Sequence, residues 1–373
     1  MSISKKILII AGEESGDMYG ANIIQKLSKN QNYDFYAMGS SKMQMTNAKI
    51  IIDSSKLSVV GFFEILRIYP KLLNALIKIK KSVDEIKPDL LILIDYQEFN
   101  FKIAKYAKSK GIKVLFYISP QVWAWRENRI KKIKNYIDTM AVIFPFEKSY
   151  YKKYDVKVEY VGHPLIENEP YKKDNFKGNN YRSGSYIGFF PGSRLGEIKK
   201  HAPIIKKTIQ KILEIKPNEK FLISKSHNID NSIYENYFGK HKNIEIIENN
   251  DIYETIDLCK LAVAASGTIT LQIALMKVPM CVFYKISFLT FFMAKILIKI
   301  NSISLVNIII GKKIVKEFIQ KDANEINLSK EINKLTEDEA YKKNMLENFL
   351  TIEKKLKDEP SKISIYELIN KML

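Results

Sequence analysis

Residues 90–100 read Leu90-Leu91-Ile92-Leu93-Ile94-Asp95-Tyr96-Gln97-Glu98-Phe99-Asn100, and this stretch decides the fold. Five branched apolar residues in a row carry no alternation, so the strand they form is buried on both faces. That pattern belongs to parallel sheets covered by helices. An Asp closes the run and a helical, Lys-studded pattern follows. The same order recurs at Ile7–Ala11, Val114–Ile118 and Met140–Phe144, then at Tyr186–Phe190, Phe221–Ser224, Ile244–Ile247, Leu261–Ala265 and Met280–Tyr284. Between the two sets, Glu167 to Ser185 (ENEPYKKDNFKGNNYRSGS) has almost no apolar content and reads as a linker. After Asp322 the strand pattern stops and charged helical sequence runs to Leu373. The expectation is an α/β chain of two Rossmann-like, doubly wound domains facing a cleft, over residues 1–166 and 186–340 with linker 167–185. Helices over 341–373 would pack back on the first domain or on a partner subunit.

At 373 residues and 46% hydrophobic content, the chain can bury the cores of two domains. The first apolar run is too short to span a bilayer and lacks a small-residue cleavage site, so a signal peptide is not expected. Cys259 and Cys281 make neither a metal-type spacing nor a disulfide framework, which fits a reducing cytoplasm. His163, His201, His227 and His241 never pair at i, i+4, so no metal site is expected. The 60 Lys and Arg outnumber the 41 Asp and Glu, a formal charge of +19. This excess points to anionic partners such as nucleic acid or an acidic membrane. A Lys-, Ile- and Asn-rich codon bias accounts for it equally well. The chain has no basic, aromatic-interleaved RNA-binding motif, and nucleic acid is not expected as a partner.

In doubly wound domains ligands sit at the carboxyl ends of the strands, so the residues there carry the functional reading. The first strand ends in Gly12-Glu13-Glu14-Ser15-Gly16-Asp17. This turn is not a dinucleotide fingerprint, and its glutamates repel a pyrophosphate. A sugar or acceptor hydroxyl suits it better, with a plain helix cap by Ser15 or Asp17 as the alternative. Asp95 at its strand end is either a general base, a helix cap, or both. Trp123 and Trp125 beside Arg126 offer flat rings and a cation for a sugar near a phosphate, or else plug two helices together. In the second half, Pro191-Gly192-Ser193-Arg194 and Ser266-Gly267-Thr268 each join a strand to a helix with small residues. Two such turns, one with an Arg, favour a nucleotide diphosphate. Val59–Lys81 and Ser287–Lys299 combine apolar residues with a Lys fringe; each is a core helix or an interfacial one, with Phe62, Phe63 and Leu66 as membrane-contact candidates.

GEESGD (12–17), IDYQEFN (94–100), SPQVWAWR (119–126), FPFE (144–147), VGHP (161–164), PGSR (191–194) and SGT (266–268) follow one another at strand ends. In that order they resemble the lipid A disaccharide synthases, GT-B glycosyltransferases of family 19. The resemblance runs from Ile7 to about Glu317. It implies an inverting transfer of 2,3-diacylglucosamine from UDP to 2,3-diacylglucosamine 1-phosphate, with no metal or other cofactor. The first domain would take the acceptor through Glu13, Ser15, Gly16, Asp17, Trp123, Arg126 and Glu147. The second would hold the donor through Ser193, Arg194, Ser266, Gly267, Thr268 and Gln272, while Asp95 and Asn307 match catalytic positions. The acylated substrates imply a peripheral enzyme on the cytoplasmic, anionic face of the inner membrane, and a homodimer is left open. Two positions depart from the pattern: Gln97-Glu98 stands for a Pro-Asp, and Gln272 for a ribose-binding Glu. Gln keeps hydrogen bonds to ribose without the charge-assisted strength. Neighbouring readings are a lipid II-type glycosyltransferase, whose glycine-rich loop is missing at 11–17, and a UDP-sugar 2-epimerase.

Overall fold

The computed structural model describes residues 4–29, 32–57, 62–120, 122, 129–167, 171, 184–227, 229–239, 241–248, 251–287, 291 and 302–373, with the backbone alone over 62–68 and at Lys56. The chain forms two compact units, Met1–Glu167 with Glu359–Leu373, and Asn168–Asp358.

In the first unit a seven-stranded parallel sheet has the order β3-β2-β1-β4-β5-β6-β7. Its strands are β1 (Lys5–Ala11), β2 (Tyr33–Gly39), β3 (Lys49–Asp53), β4 (Leu90–Ile94), β5 (Lys113–Tyr117), β6 (Thr139–Val142) and β7 (Val158–Tyr160). The helices are α1 (Glu14–Leu27), α2 (Ser41–Gln44), α3 (Phe62–Ile86), α4 (Gln97–Ser109), α5 (Arg129–Tyr136), α6 (Pro145–Lys152) and α7 (Pro164–Glu167). β1 and β4 are central, and Ile7 to Ile10 and Leu90 to Ile94 have no exposed surface, as their unbroken apolar runs require.

The second unit repeats the plan in a six-stranded parallel sheet of order β10-β9-β8-β11-β12-β13. Here β8 (Tyr186–Phe190), β9 (Lys220–Lys225), β10 (Ile244–Glu248), β11 (Cys259–Ala265), β12 (Met280–Tyr284) and β13 (Glu317–Ile319) alternate with α8 (Leu195–Ile215), α9 (Asn231–Phe238), α10 (Ile252–Asp257), α11 (Thr268–Leu275) and α12 (Leu305–Ile310). Helices α13 (Glu325–Glu337) and α14 (Glu339–Lys357) complete it, α14 burying Met345, Phe349, Ile352 and Leu356.

Both sheets reverse direction of growth at one place, between β1 and β4 and between β8 and β11. Loops leaving the two strands there diverge to opposite faces and open a crevice at the carboxyl ends.

The C-terminal stretch expected over 341–373 divides. α14 stays with the second unit, whereas Glu359–Leu373 belongs to the first. There Ile363 N–H donates to Tyr160 O at 3.0 Å beside β7, and α15 (Ile365–Met372) follows. The Tyr33 hydroxyl meets Asn370 at 2.9 Å and Lys113 Nζ donates to Met372 O at 2.5 Å. Most of the expected linker lies outside the described residues, and so do most of Ser287–Lys299.

Candidate active site

At the first switch point, β1 runs into Gly12 and β4 into Asp95. A Cβ on Gly12 would stand 2.2 Å from the Tyr96 ring, so only glycine lets this turn lie under the tyrosine. Asp95 and Tyr96 are both left-handed, with φ of 49° and 42°, and so is Ile118 after β5, at 65°. Left-handed backbone costs a residue with a side chain about 1–3 kcal/mol, and such strain gathers at functional sites. Asn100 holds the Asp95 corner from below. Its Nδ2 donates to Asp95 O at 2.7 Å and to Ile94 O at 3.3 Å, and its backbone N–H donates to Tyr96 O at 3.1 Å. Asn100 is fully buried, and its Oδ1 has no hydrogen-bond partner among the described residues. Asp95 itself is half-buried at the strand end. Burial raises the Tyr96 pKa, with the nearby Glu13 charge adding to it.

Glu13 and Ser15 are exposed at the start of α1, while Gly16 is buried, its Cβ position 3.1 Å from the Ala11 Cβ. Neither Ser15 nor Asp17 caps α1: Glu13 occupies the cap position, without a side-chain bond. Asp17 turns away from any ligand role. It is fully buried, and its carboxylate accepts from Ser40 N at 2.6 Å, Ser40 Oγ and Lys42 N at 2.8 Å, and Met43 N at 3.3 Å. It fixes the β2–α2 turn. Glu147 is likewise buried, accepting from Phe144 N at 3.1 Å and Ile143 N at 3.3 Å, which pins the start of α6. The departing pair Gln97-Glu98 is clasped by buried Arg129, whose two terminal nitrogens donate one to each side chain. Trp123 and Arg126 lie outside the described residues, as do the side chains of Phe62, Phe63 and Leu66.

At the second switch point, β8 leads to Pro191-Gly192-Ser193-Arg194 and the neighbouring β11 to Ser266-Gly267-Thr268, both ending at helix N-termini. Gly192 has φ of 111°, a conformation closed to side chains. Glu197, one turn into α8, organises this loop. Its Oε2 accepts from Ser193 N at 3.2 Å, and its Oε1 accepts from the Tyr284 hydroxyl at 3.0 Å and lies 3.6 Å from the Arg194 guanidinium. The Arg194 side chain is about half exposed, at 53%. Ser193, Gly267 and Thr268 are exposed. Small residues, helix N-termini and a cation make both turns suited to phosphate. On α11, Gln272 Nε2 reaches the Tyr253 hydroxyl at 3.4 Å.

Asn307 is buried on α12. The side chain is 2% exposed and all its hydrogen-bonding positions are taken. Nδ2 donates to Glu317 Oε1 at 2.7 Å and Val315 O at 2.8 Å, while Oδ1 accepts from Ile314 N at 2.9 Å and Val315 N at 3.0 Å. Glu317 in turn accepts from Ile303 N, Ser304 N and Ser304 Oγ. The Ile303 carbonyl then receives the Ser266 hydroxyl at 2.7 Å. Asn307 is therefore linked to the Ser266 turn through Glu317 and Ile303.

Sequence reasoning passed over Asn100, Arg129, His201 and Glu317. For Asn100 and His201 a signal existed: each is a polar residue on the buried stripe of its helix, among Phe99, Ile103 and Ala104 in α4 and Ile198, Ala202 and Ile205 in α8. Among the described residues no group of His, Cys, Asp or Glu converges as a metal site needs.

The profile of a family described as lipid-A-disaccharide synthetase matches residues 7–367. A lipid-A-disaccharide synthase of Coxiella burnetii is 38% identical over 352 residues, covering 92% of each chain. One of Geobacter sulfurreducens is 36% identical over 363 residues, covering 95% of this chain and 93% of the relative. Among solved structures, the UDP-GlcNAc 2-epimerase of Neisseria meningitidis bound to UDP-GlcNAc aligns with a TM-score of 0.67 at 14% identity, covering 98% of this chain and all of that one. The glycotransferase of kitacinnamycin gives 0.67 at 12% identity over the whole of both chains. These two likenesses are of fold, the GT-B arrangement of paired α/β domains. The sequence matches go further, and the chain belongs to the lipid-A-disaccharide synthase family of glycosyltransferases.

Proposed function

We propose that the chain joins 2,3-diacylglucosamine, carried on UDP, to the 6-hydroxyl of 2,3-diacylglucosamine 1-phosphate, releasing UDP and a β-1,6-linked disaccharide 1-phosphate. The observation that carries this reading is the pair of anion-suited turns, Gly192–Arg194 and Ser266–Thr268, side by side at the switch point of the second sheet. There the donor diphosphate meets two helix N-termini and the Arg194 guanidinium, which stabilise charge as it builds on the leaving UDP. In the first unit Asp95 takes the proton of the acceptor hydroxyl while that oxygen attacks the anomeric carbon and the bond to UDP breaks. The strained, Asn100-braced corner supports this role, because it fixes the backbone that carries the carboxylate before substrate arrives. Glu13 and Ser15 serve acceptor hydroxyls. Arg194→Ala should weaken UDP binding by about 1.5–3 kcal/mol, and Arg194→Lys should recover only part. Equal affinity in all three proteins would remove the donor from this turn.

Both substrates are lipids, and each buried acyl methylene is worth about 0.8 kcal/mol, so the enzyme works at the bilayer. Among the described residues no helix is long and apolar enough to cross a membrane. On α3, Tyr69, Leu73 and Ile77 recur every four residues and are exposed, and exposed Lys81 continues the stripe with exposed Lys78 at its flank. Such a face suits peripheral binding to the anionic cytoplasmic surface of the inner membrane. Tyr69, Leu73 and Ile77 changed together to Ser should release the protein from anionic vesicles at moderate salt and leave UDP binding intact. Unchanged vesicle binding by the folded triple variant would place the anchor elsewhere.

A further inference from the structure

His201 lies on the buried face of α8 with no exposed surface. Its Nδ1 is 2.7 Å from Pro191 O, the residue that begins the Gly192–Arg194 turn, and its Nε2 is 3.0 Å from the backbone N of Lys285, just past β12. A carbonyl only accepts and a peptide N–H only donates. One tautomer satisfies both: Nδ1 protonated, Nε2 bare. The ring is fixed further by Phe283 at 4.7 Å and Tyr284 at 5.6 Å between centroids. Burial, the leading influence, lowers its pKa, while the hydrogen bond to Pro191 O and the Glu197 charge pull the other way.

In the sheet, β8 and β12 flank β11. His201 thus ties the end of one flanking strand to the end of the other, around the strand that carries the Ser266–Thr268 turn. Glu197 makes a second tie between the same two places, from Ser193 N to the Tyr284 hydroxyl. The first turns of α8 act as a bracket with two side-chain arms. Remove the His201 arm and the Pro191 carbonyl loses a buried partner, so the turn no longer has one preferred position.

We infer that His201 is a positioning residue for the donor: through the Pro191 carbonyl it holds the Gly192–Arg194 turn in the conformation that receives the diphosphate of a UDP-sugar. This rests on the reading of that turn as the phosphate site, and the test separates the two. UDP affinity is measured by calorimetry, and donor KM and kcat by UDP release, on full-length wild type, Arg194→Ala, His201→Phe, His201→Asn and His201→Gln, each checked for folding by circular dichroism. Asn keeps a donor where Nδ1 stood, whereas Gln places its amide near the Nε2 end. His201→Phe should raise the UDP dissociation constant and donor KM about three- to tenfold, with kcat changed less, in line with the loss of one buried hydrogen bond. His201→Asn should recover most of that loss and His201→Gln little. Should Phe fail to fold, the Asn and Gln pair decides alone. Unchanged UDP affinity in the His201 variants, with Arg194→Ala weakened, would overturn the inference and leave the turn as phosphate site. Unchanged affinity in Arg194→Ala would remove the phosphate site and this inference together. Loss of stability in all three His201 variants with UDP affinity intact would make His201 a packing residue only.

Discussion

Asn307→Ala tests whether this residue acts on substrate or on the fold. The amide makes four hydrogen bonds, two of them fully buried, and alanine strands the N–H and the carbonyl of Val315, while the Ile314 N–H keeps its bond to Lys312 O at 3.1 Å. Glu317 keeps its three bonds to Ile303 and Ser304 and loses little. A buried polar group left without a partner costs about 1–3 kcal/mol, so two of them, partly relieved by relaxation and water, give about 2–4 kcal/mol. Asn307→Asp should be no milder, since it keeps the shape but faces one carboxylate against another across the present 2.7 Å contact. Urea unfolding gives the stability, and UDP release gives the kinetics. A role in the fold predicts that both variants lose stability and that donor KM rises, as the Ile303 carbonyl drifts from Ser266. Asn307→Ala with stability within about 0.5 kcal/mol of wild type and kcat lowered more than about a thousandfold would refute it, and would make Asn307 a residue that touches the reacting atoms.

Asp95→Asn should cut turnover by roughly 10²–10⁴-fold while UDP binding stays unchanged, measured by UDP release and calorimetry; near-normal turnover would leave Asp95 with its strained corner but no proton to move. His163 is buried, accepts from Leu165 N at 3.2 Å through Nδ1, and has its pKa pushed down to about 3 by burial. The unfolded chain therefore binds the extra proton first. Stability should be flat above about pH 6.5 and fall as pH drops from there toward 3, and His163→Gln should flatten that fall in acid unfolding curves. An identical pH dependence in the variant would assign the acid sensitivity to other groups.

The central strands were legible because burial on both faces leaves an unbroken apolar run; β4, β8 and β12 match their sequence readings residue for residue. β2, β3 and β13 escaped notice. Two of these three are edge strands and β2 lies next to one, and each interleaves charged or half-exposed residues such as Asp34, Lys49 and Glu317. A strand covered on one side only does not spell itself out in hydrophobicity. Strand ends were the right places to look, since topology puts ligand sites at the carboxyl edge whatever the chemistry. What a polar residue does there was harder to read. Asp17 and Glu147 have the chemistry of sugar ligands, yet both carboxylates accept from backbone N–H groups, for Asp17 in a loop beginning at Ser40, 23 residues on. Local sequence does not announce such a partner. Asn307 is the sharper case, because its effect on the Ser266 turn passes through Glu317 and Ile303, two links that only the folded chain joins.

The central claim is that the chain transfers a sugar from UDP to a second acylated sugar. Incubating the purified protein with UDP-2,3-diacylglucosamine and 2,3-diacylglucosamine 1-phosphate in mixed micelles, and following UDP together with product mass, tests it most directly. The account predicts UDP and a disaccharide 1-phosphate in equal amounts, and neither when the acceptor is left out. UDP released without acceptor, or a donor converted in place with no disaccharide formed, would contradict it.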